Sequence, residues 1–272
     1  MRHAAVLGSP IAHSLSPVLH RTAYAEMGLA DWSYEAIECG EDGLAAILYA
    51  LDDTWAGLSL TMPLKRVALK LADQCSPRAL AAGGANTLLR RDGRWQADNT
   101  DVHGMVTALT EAGLSPEAAL VLGGGATAAS ALVALRELGL SEVTLAVRDR
   151  ARAGEAAMAG ERAGVAVSLR TLSELPELLA ALPQAGLVIS TLPGGAADPY
   201  AGLIGESGHP VFDVVYAPWP TPLGAAAATV VGGLPMLLHQ AVRQIELMTG
   251  RSQVPVEAMR AAALAEQRRR SR

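Results

Sequence analysis

The chain has 272 residues, enough for one large domain or two of ordinary size, and half of them are apolar. Its single Phe, Phe212, leaves core volume to Ala, Leu and Val, which suits helices packed on buried parallel strands. A net charge of −5 excludes a chain-wide basic field for nucleic acid, and the one basic run, Arg268–Arg270 with Arg272, reads as a solvated tail.

Cys39 and Cys75 are far apart, make no metal-ligand spacing and imply a reducing compartment rather than a disulfide scaffold. No charged start precedes a long apolar run, so no signal peptide is expected. No stretch reaches about 18 uninterrupted apolar residues, so no membrane span is expected either, and the chain reads as soluble and cytoplasmic.

The first strand is expected at Ala4–Leu7, and a helix at Pro17–Met27. Ser16-Pro17 starts that helix, with Ser16 as N-cap and Pro17 in its first turn. A cap does not account for Ser14. Two hydroxyls and free backbone donors beside a helix start make a candidate carboxylate cradle.

Strands at Trp32–Glu38 and Gly57–Leu60 lead to Thr61-Met62-Pro63-Leu64-Lys65, where a helix begins around Pro63. Lys65 then lies in the first turn, where the macrodipole disfavours a cation. Arg outnumbers Lys 20 to 2, so a lysine here stands out, although a surface lysine is the plainer reading. Near a strand at Ala85–Leu89, Asn86 adds an amide, and Asn99-Thr100-Asp101 adds a carboxylate. Turns and helix caps are the plainer alternatives, with Asp101 as an N-cap.

Strand Ala118–Leu122 runs into Gly123-Gly124-Gly125-Ala126-Thr127-Ala128 and a helix at Ala126–Leu138. This fits G-x-G-x-x-A. Gly123 permits the tight turn, Gly125 the approach of a pyrophosphate, and Ala128 close helix–strand packing. Cofactor identity is read after the next strand, Val143–Val147. The tip there is Arg148-Asp149-Arg150-Ala151-Arg152. Guanidinium groups suit the 2′-phosphate of NADP. Asp149 dissents: it starts a helix, pairs with Arg148 or Arg152, or takes a ribose hydroxyl and admits NAD. Further strands at Leu187–Ser190 and Val211–Val214, and helices at Leu175–Leu182, Leu234–Thr249 and Val256–Gln267, complete the pattern.

Strand–helix alternation predicts an α/β protein with parallel sheets. Changes of character near Asn99–Asp101 and Gly232–Gly233 predict a discontinuous architecture. Residues 1–101 form an N-terminal α/β domain completed by C-terminal helices in 233–272. A Rossmann-like dinucleotide domain, 102–232, is inserted between them, and ligands are expected in the inter-domain cleft.

The ordered motifs resemble the shikimate dehydrogenase family over nearly the whole chain. Those motifs are Ser14-Leu15-Ser16-Pro17, Thr61-Met62-Pro63-Leu64-Lys65, Ala85-Asn86-Thr87, Asn99-Thr100-Asp101 and the Gly123–Ala128 turn. Asp213-Val214-Val215-Tyr216 with Pro218, Thr221-Pro222-Leu223, and Gly233-Leu234-Pro235-Met236-Leu237 with Gln240 follow in order. The resemblance implies an NADP-linked oxidoreductase of the shikimate pathway of chorismate and aromatic amino acid biosynthesis, interconverting shikimate and 3-dehydroshikimate. It implies that Ser14 and Ser16 bind the substrate carboxylate. Thr61, Asn86, Asp101 and Gln240 would bind ring hydroxyls, with Tyr216 nearby, and Lys65 and Asp101 would be the catalytic pair. The turn Gly123, Gly124, Gly125 and Ala126 would hold NADP, Gly233 and Met236 would border the nicotinamide, and Arg148 and Arg152 would hold the 2′-phosphate. The partner is a small-molecule substrate; no metal is implied, and a homodimer is compatible with the chain.

The sequence departs from the family pattern at Arg21 and Ser59, where Asn is frequent, and at Ala126, where Gly is common and Ala requires a negative φ. Val147-Arg148-Asp149 replaces Asn-Arg-Thr, which leaves the cofactor less firmly implied than the reaction. Two rivals stand: a quinate/shikimate dehydrogenase preferring NAD, and a non-catalytic NADP sensor.

Overall fold

The computed structural model describes residues 1–271, and of Arg152 only the backbone. The chain begins with β1 (Arg2–Gly8), α1 (Ser16–Glu26), β2 (Trp32–Glu38), α2 (Glu41–Ala50), β3 (Trp55–Leu60), α3 (Lys65–Leu71), β4 (Gln74–Cys75), α4 (Pro77–Ala82), β5 (Thr87–Arg91) and β6 (Arg94–Asp98). Next come α5 (Thr100–Glu111), β7 (Ala118–Leu122), α6 (Ala126–Glu137), β8 (Glu142–Val147), α7 (Gly154–Ala163), β9 (Ala166–Thr171), α8 (Leu175–Ala181) and β10 (Gly186–Ser190). Then follow α9 (Ala201–Glu206), β11 (Val211–Asp213), α10 (Pro222–Ala226), β12 (Val230–Val231), α11 (Gly233–Thr249) and α12 (Val256–Arg270). Two compact units result: Met1–Thr100 with the residues from Leu238 on, and Asp101–Leu237.

In the first unit the sheet order is β2-β1-β3-β5-β6-β4. β1 is parallel to β2 and β3, but β5 is antiparallel to both β3 and β6. The sheet is therefore mixed, where alternation alone predicts parallel pairing. The physical reason is Asp92-Gly93, a two-residue hairpin turn with φ of 48° and 73°, the left-handed geometry of a type I′ turn. This reversal matters for the site. It brings the start of β5 and the end of β6 to the sheet edge where β1 and β3 terminate. Leu7, Leu58, Leu60, Leu64 and Leu88 fill the core beneath that edge. α12 packs along α1.

The second unit's sheet is parallel throughout, in the order β12-β11-β10-β7-β8-β9. Its central strands are buried on both faces and read as unbroken apolar runs, such as Leu120-Val121-Leu122 and Leu187-Val188-Ile189. The chain builds outward from β7 through β8 to β9, then returns to lay β10 on the other side of β7. That reversal is the topological switch point of a doubly wound sheet, where ligands bind beyond the strands' carboxyl ends. α6 buries every residue from Ala128 to Leu135, and its alanines let it lie close against the sheet.

All eight expected strands are present. β4 and β12, two residues each, are too short to show a period. β6 and β9 carry polar residues on alternate positions and lack the apolar runs of the central strands. Among the described residues no helix is long and apolar enough to cross a membrane.

Candidate active site

At the carboxyl end of β1, Gly8 meets the turn after β3. A Cβ on Gly8 would lie 2.3 Å from Thr61 Cγ2 and 2.9 Å from the Met62 carbonyl, so only glycine fits. Ser9 N donates to Met62 O at 2.9 Å and Thr61 N to Leu7 O at 2.9 Å, fastening the two loops together. Glu38 ties the same loop from the other side, accepting from Ser9 Oγ at 2.6 Å and Ile11 N at 3.0 Å. Ser16 turns out to be the first residue of α1, not its cap. Its N–H donates to Ser14 Oγ at 3.2 Å, so Ser14 supports the helix start.

Lys65 opens α3, half-buried, and its carbonyl accepts from Ala85 N at 2.7 Å. That bond places the start of α3 beside Asn86, which is itself buried. Asn86 Oδ1 accepts from Thr100 N at 2.7 Å and Thr100 Oγ1 at 3.1 Å, and Asn86 Nδ2 donates to Gln240 Oε1 at 3.2 Å. Thr100 is thus fixed as the first residue of α5. Asp101, buried, lies inside the first turn rather than capping it.

In the second unit, Gly123 has φ +107°, and a Cβ there would meet Thr191 Oγ1 at 2.6 Å. Gly124 is pressed against Val147 and Ala153, whereas nothing lies within 4 Å of a Cβ on Gly125. The turn is therefore closed on its protein side and open above Gly125, at the N-terminus of α6. This is the shape and polarity that a pyrophosphate requires. Ala126 opens α6; among the described residues Asp92 is the only non-glycine with positive φ, so Ala126 fits without strain. At the adjacent carboxyl end of β10, Ser190 Oγ is buried without a hydrogen-bond partner, a polar atom at the switch point. These features fit a dinucleotide.

Beyond β8, Asp149 caps a 3-10 turn, Arg150–Arg152, its Oδ1 accepting from Ala151 N at 2.9 Å. Arg150 is drawn to Glu174 at 3.0 Å. Arg148 is exposed and, among the described residues, has no ion-pair partner. The side chain of Arg152 lies outside the described residues. Gly233 begins α11 so close to the preceding loop that a Cβ would stand 2.0 Å from Val214 O; Met236 is buried. Tyr216 rides on that loop, half-buried. Asp213 shapes the loop, accepting from Thr221 Oγ1 at 2.7 Å and Val215 N at 3.2 Å. Burial pushes its carboxyl up from the ordinary range, against the pull of those bonds.

Residues 6–88 match the shikimate dehydrogenase substrate binding domain, and 233–264 the shikimate 5′-dehydrogenase C-terminal domain. The shikimate dehydrogenase (NADP(+)) of Methylobacterium radiotolerans is 38% identical over 263 residues, 91% of each chain. The chain belongs to the shikimate dehydrogenase family. The crystal structure of Mycobacterium tuberculosis shikimate dehydrogenase is similar at TM-score 0.87 and 43% identity, covering 97% of this chain and 100% of that one. The Thermus thermophilus shikimate 5-dehydrogenase, solved in complex with NADP(H) and shikimate, is similar at TM-score 0.81 and 32% identity over 97% and 99% of the chains.

Of the residues that the family resemblance singles out in the first unit, Asn86 and Gln240 are bonded directly, while Ser14 and Thr61 stand on loops, and Ser16 and Lys65 open α1 and α3, at the same sheet edge. Sequence reasoning missed the residue behind them. Gln244, one turn beyond Gln240 and buried, donates to Asn86 O at 3.2 Å and Thr87 Oγ1 at 3.0 Å. It accepts from Ser59 Oγ at 2.7 Å and from His20 Nε2 at 3.3 Å. The spacing to Gln240 was the available signal: two glutamines four apart share one helix face.

His20 is stacked on Tyr34 at 3.9 Å and fully buried, and burial lowers its pKa from 6.5 to about 3. The folded protein holds it neutral while the unfolded chain protonates it below about 6.5, so stability rises with pH between about 3 and 6.5. The limiting slope is about 1.4 kcal/mol per pH unit. The carboxylates Glu174 and Glu266, held near 2 against an ordinary 4.5, add acid sensitivity only below about 4.5. Urea midpoints between pH 7 and 5 are therefore expected to fall in the native chain and to flatten in His20→Gln. Parallel curves for the two proteins contradict this reading.

Proposed function

We propose that this chain reversibly reduces 3-dehydroshikimate to shikimate with NADPH. The observation that carries the reading is the set of polar side chains gathered at one sheet edge of the first unit: Ser14, Ser16, Thr61, Lys65, Asn86 and Gln240. Nothing in the packing of a sheet calls for so many.

When bound, NADPH would supply a hydride for the C3 carbonyl. As negative charge grows on the C3 oxygen, the Lys65 ammonium stabilises it and gives up a proton, leaving the C3 hydroxyl. In the oxidative direction neutral Lys65 takes that proton back. Asp101 accepts from a neighbouring ring hydroxyl. Ser14 and Ser16 hold the carboxylate. Thr61, Asn86 and Gln240 hold ring hydroxyls, and an analogue lacking one leaves a buried polar group unpaired. Gly123, Gly124, Gly125 and Ala126 would seat the pyrophosphate, Gly233 and Met236 would border the nicotinamide, and Arg148 would hold the 2′-phosphate. The two free thiols fit a cytoplasmic location.

A second reading, quinate oxidation with NAD, rests on Asp149. Its carboxylate already accepts from Ala151 N, which favours the plainer role of a turn cap. Absorbance at 340 nm with NADP and shikimate tests the main reading. Shikimate-dependent reduction of NADP supports it; cofactor binding with no such change points to a sensor instead.

A further inference from the structure

Arg269 and Arg270 do not behave as part of a free tail. α12 runs along α1, and its last turn reaches the loop before α1. Arg270 Nη1 donates to His13 O at 2.5 Å and Nη2 to Ser14 O at 3.2 Å. Its Nε donates to Glu266 Oε1 at 2.7 Å, and Arg269 grips the same carboxylate through Nε and Nη2, both at 2.7 Å. Hydrogen bonds from Arg269 and Arg270 hold the Glu266 carboxyl near 2, so it stays charged wherever the protein is folded and active. The Arg270 side chain is one-third exposed (33%) and Glu266 less so (14%), whereas Arg269 is open to solvent at 72%.

A planar guanidinium that donates in two directions at once is a rigid spacer between its acceptors. Here it spans an anchored carboxylate and two successive backbone carbonyls. Those carbonyls belong to His13 and Ser14. Glu38 holds the other end of the same loop at Ser9 and Ile11. The loop is therefore pinned at both ends by charged groups, with the Ser14 hydroxyl just beyond the second pin.

We propose that Arg270 is a positioning residue for substrate binding: anchored by Glu266, it fixes the Ser14 loop in the form that receives the substrate carboxylate. The proposal rests on the reading of Ser14 as a carboxylate ligand. Arg270 does not touch the reacting atoms, so it acts on binding in the ground and transition states alike and leaves turnover alone.

The test is a double-mutant cycle of Arg270→Ala and Ser14→Ala, read as KM for shikimate, KM for NADP and kcat. Arg270→Ala is expected to raise KM for shikimate about three- to tenfold with kcat and KM for NADP unchanged. In the Ser14→Ala background it is expected to add nothing further. Glu266→Gln, which removes the anchor and keeps the arginine, is expected to act in the same direction, and it carries the test if Arg270→Ala does not fold. An unchanged KM in Arg270→Ala, or a rise that multiplies fully with that of Ser14→Ala, overturns the proposal and leaves the carboxylate reading intact. An unchanged KM in Ser14→Ala itself overturns the carboxylate reading, and the proposal falls with it.

Discussion

Lys65→Ala is expected to lower kcat by at least about 10² with little change in KM for shikimate. A positioned general acid contributes roughly 10²–10⁴ in rate, and its loss bears on the transition state, not on the ground state. The half-buried place of Lys65 at the start of α3 suits this role. Its backbone is fixed by the bond from Ala85, so the side chain starts from a set origin. Steady-state kinetics in both directions check the prediction. Unchanged turnover in Lys65→Ala removes the residue from the chemistry.

Arg148→Ala is expected to raise KM for NADP about 10- to 100-fold and to leave KM for NAD nearly unchanged. A charge-assisted pair with a phosphate is worth roughly 1.5–3 kcal/mol, and NAD carries no 2′-phosphate to lose. Arg148 is exposed at this strand tip, whereas Arg150 is committed to Glu174. Initial rates with each cofactor measure the effect. An equal loss with both cofactors would show that Arg148 serves the turn and not the phosphate.

The legible part of this protein is local. The glycine turn could be read because strand, turn and helix follow one another directly in the chain. The central strands of the second unit could be read because parallel strands buried on both faces are continuous in apolar residues. The pairing of the first sheet was carried by a different signal, the Asp92-Gly93 turn, which competes with strand–helix alternation and prevails over it.

The illegible part is non-local and polar. Gln244 and His20 are 224 positions apart in the chain, and neither carries a charge that draws notice. Their meaning comes only from burial together. Arg270 misleads for a related reason. A run of arginines at a chain end is usually solvated, and its acceptors here are backbone carbonyls 256 and 257 positions away, which composition cannot announce. Ser16 misleads by one residue: Pro17 does mark the helix start, but the hydroxyl that supports it is that of Ser14.

The central claim is a choice of substrate and cofactor together, and kcat/KM measured for shikimate and for quinate, each with NADP and with NAD, tests it most directly. The account predicts the largest value for shikimate with NADP. A preference for quinate with NAD would contradict it.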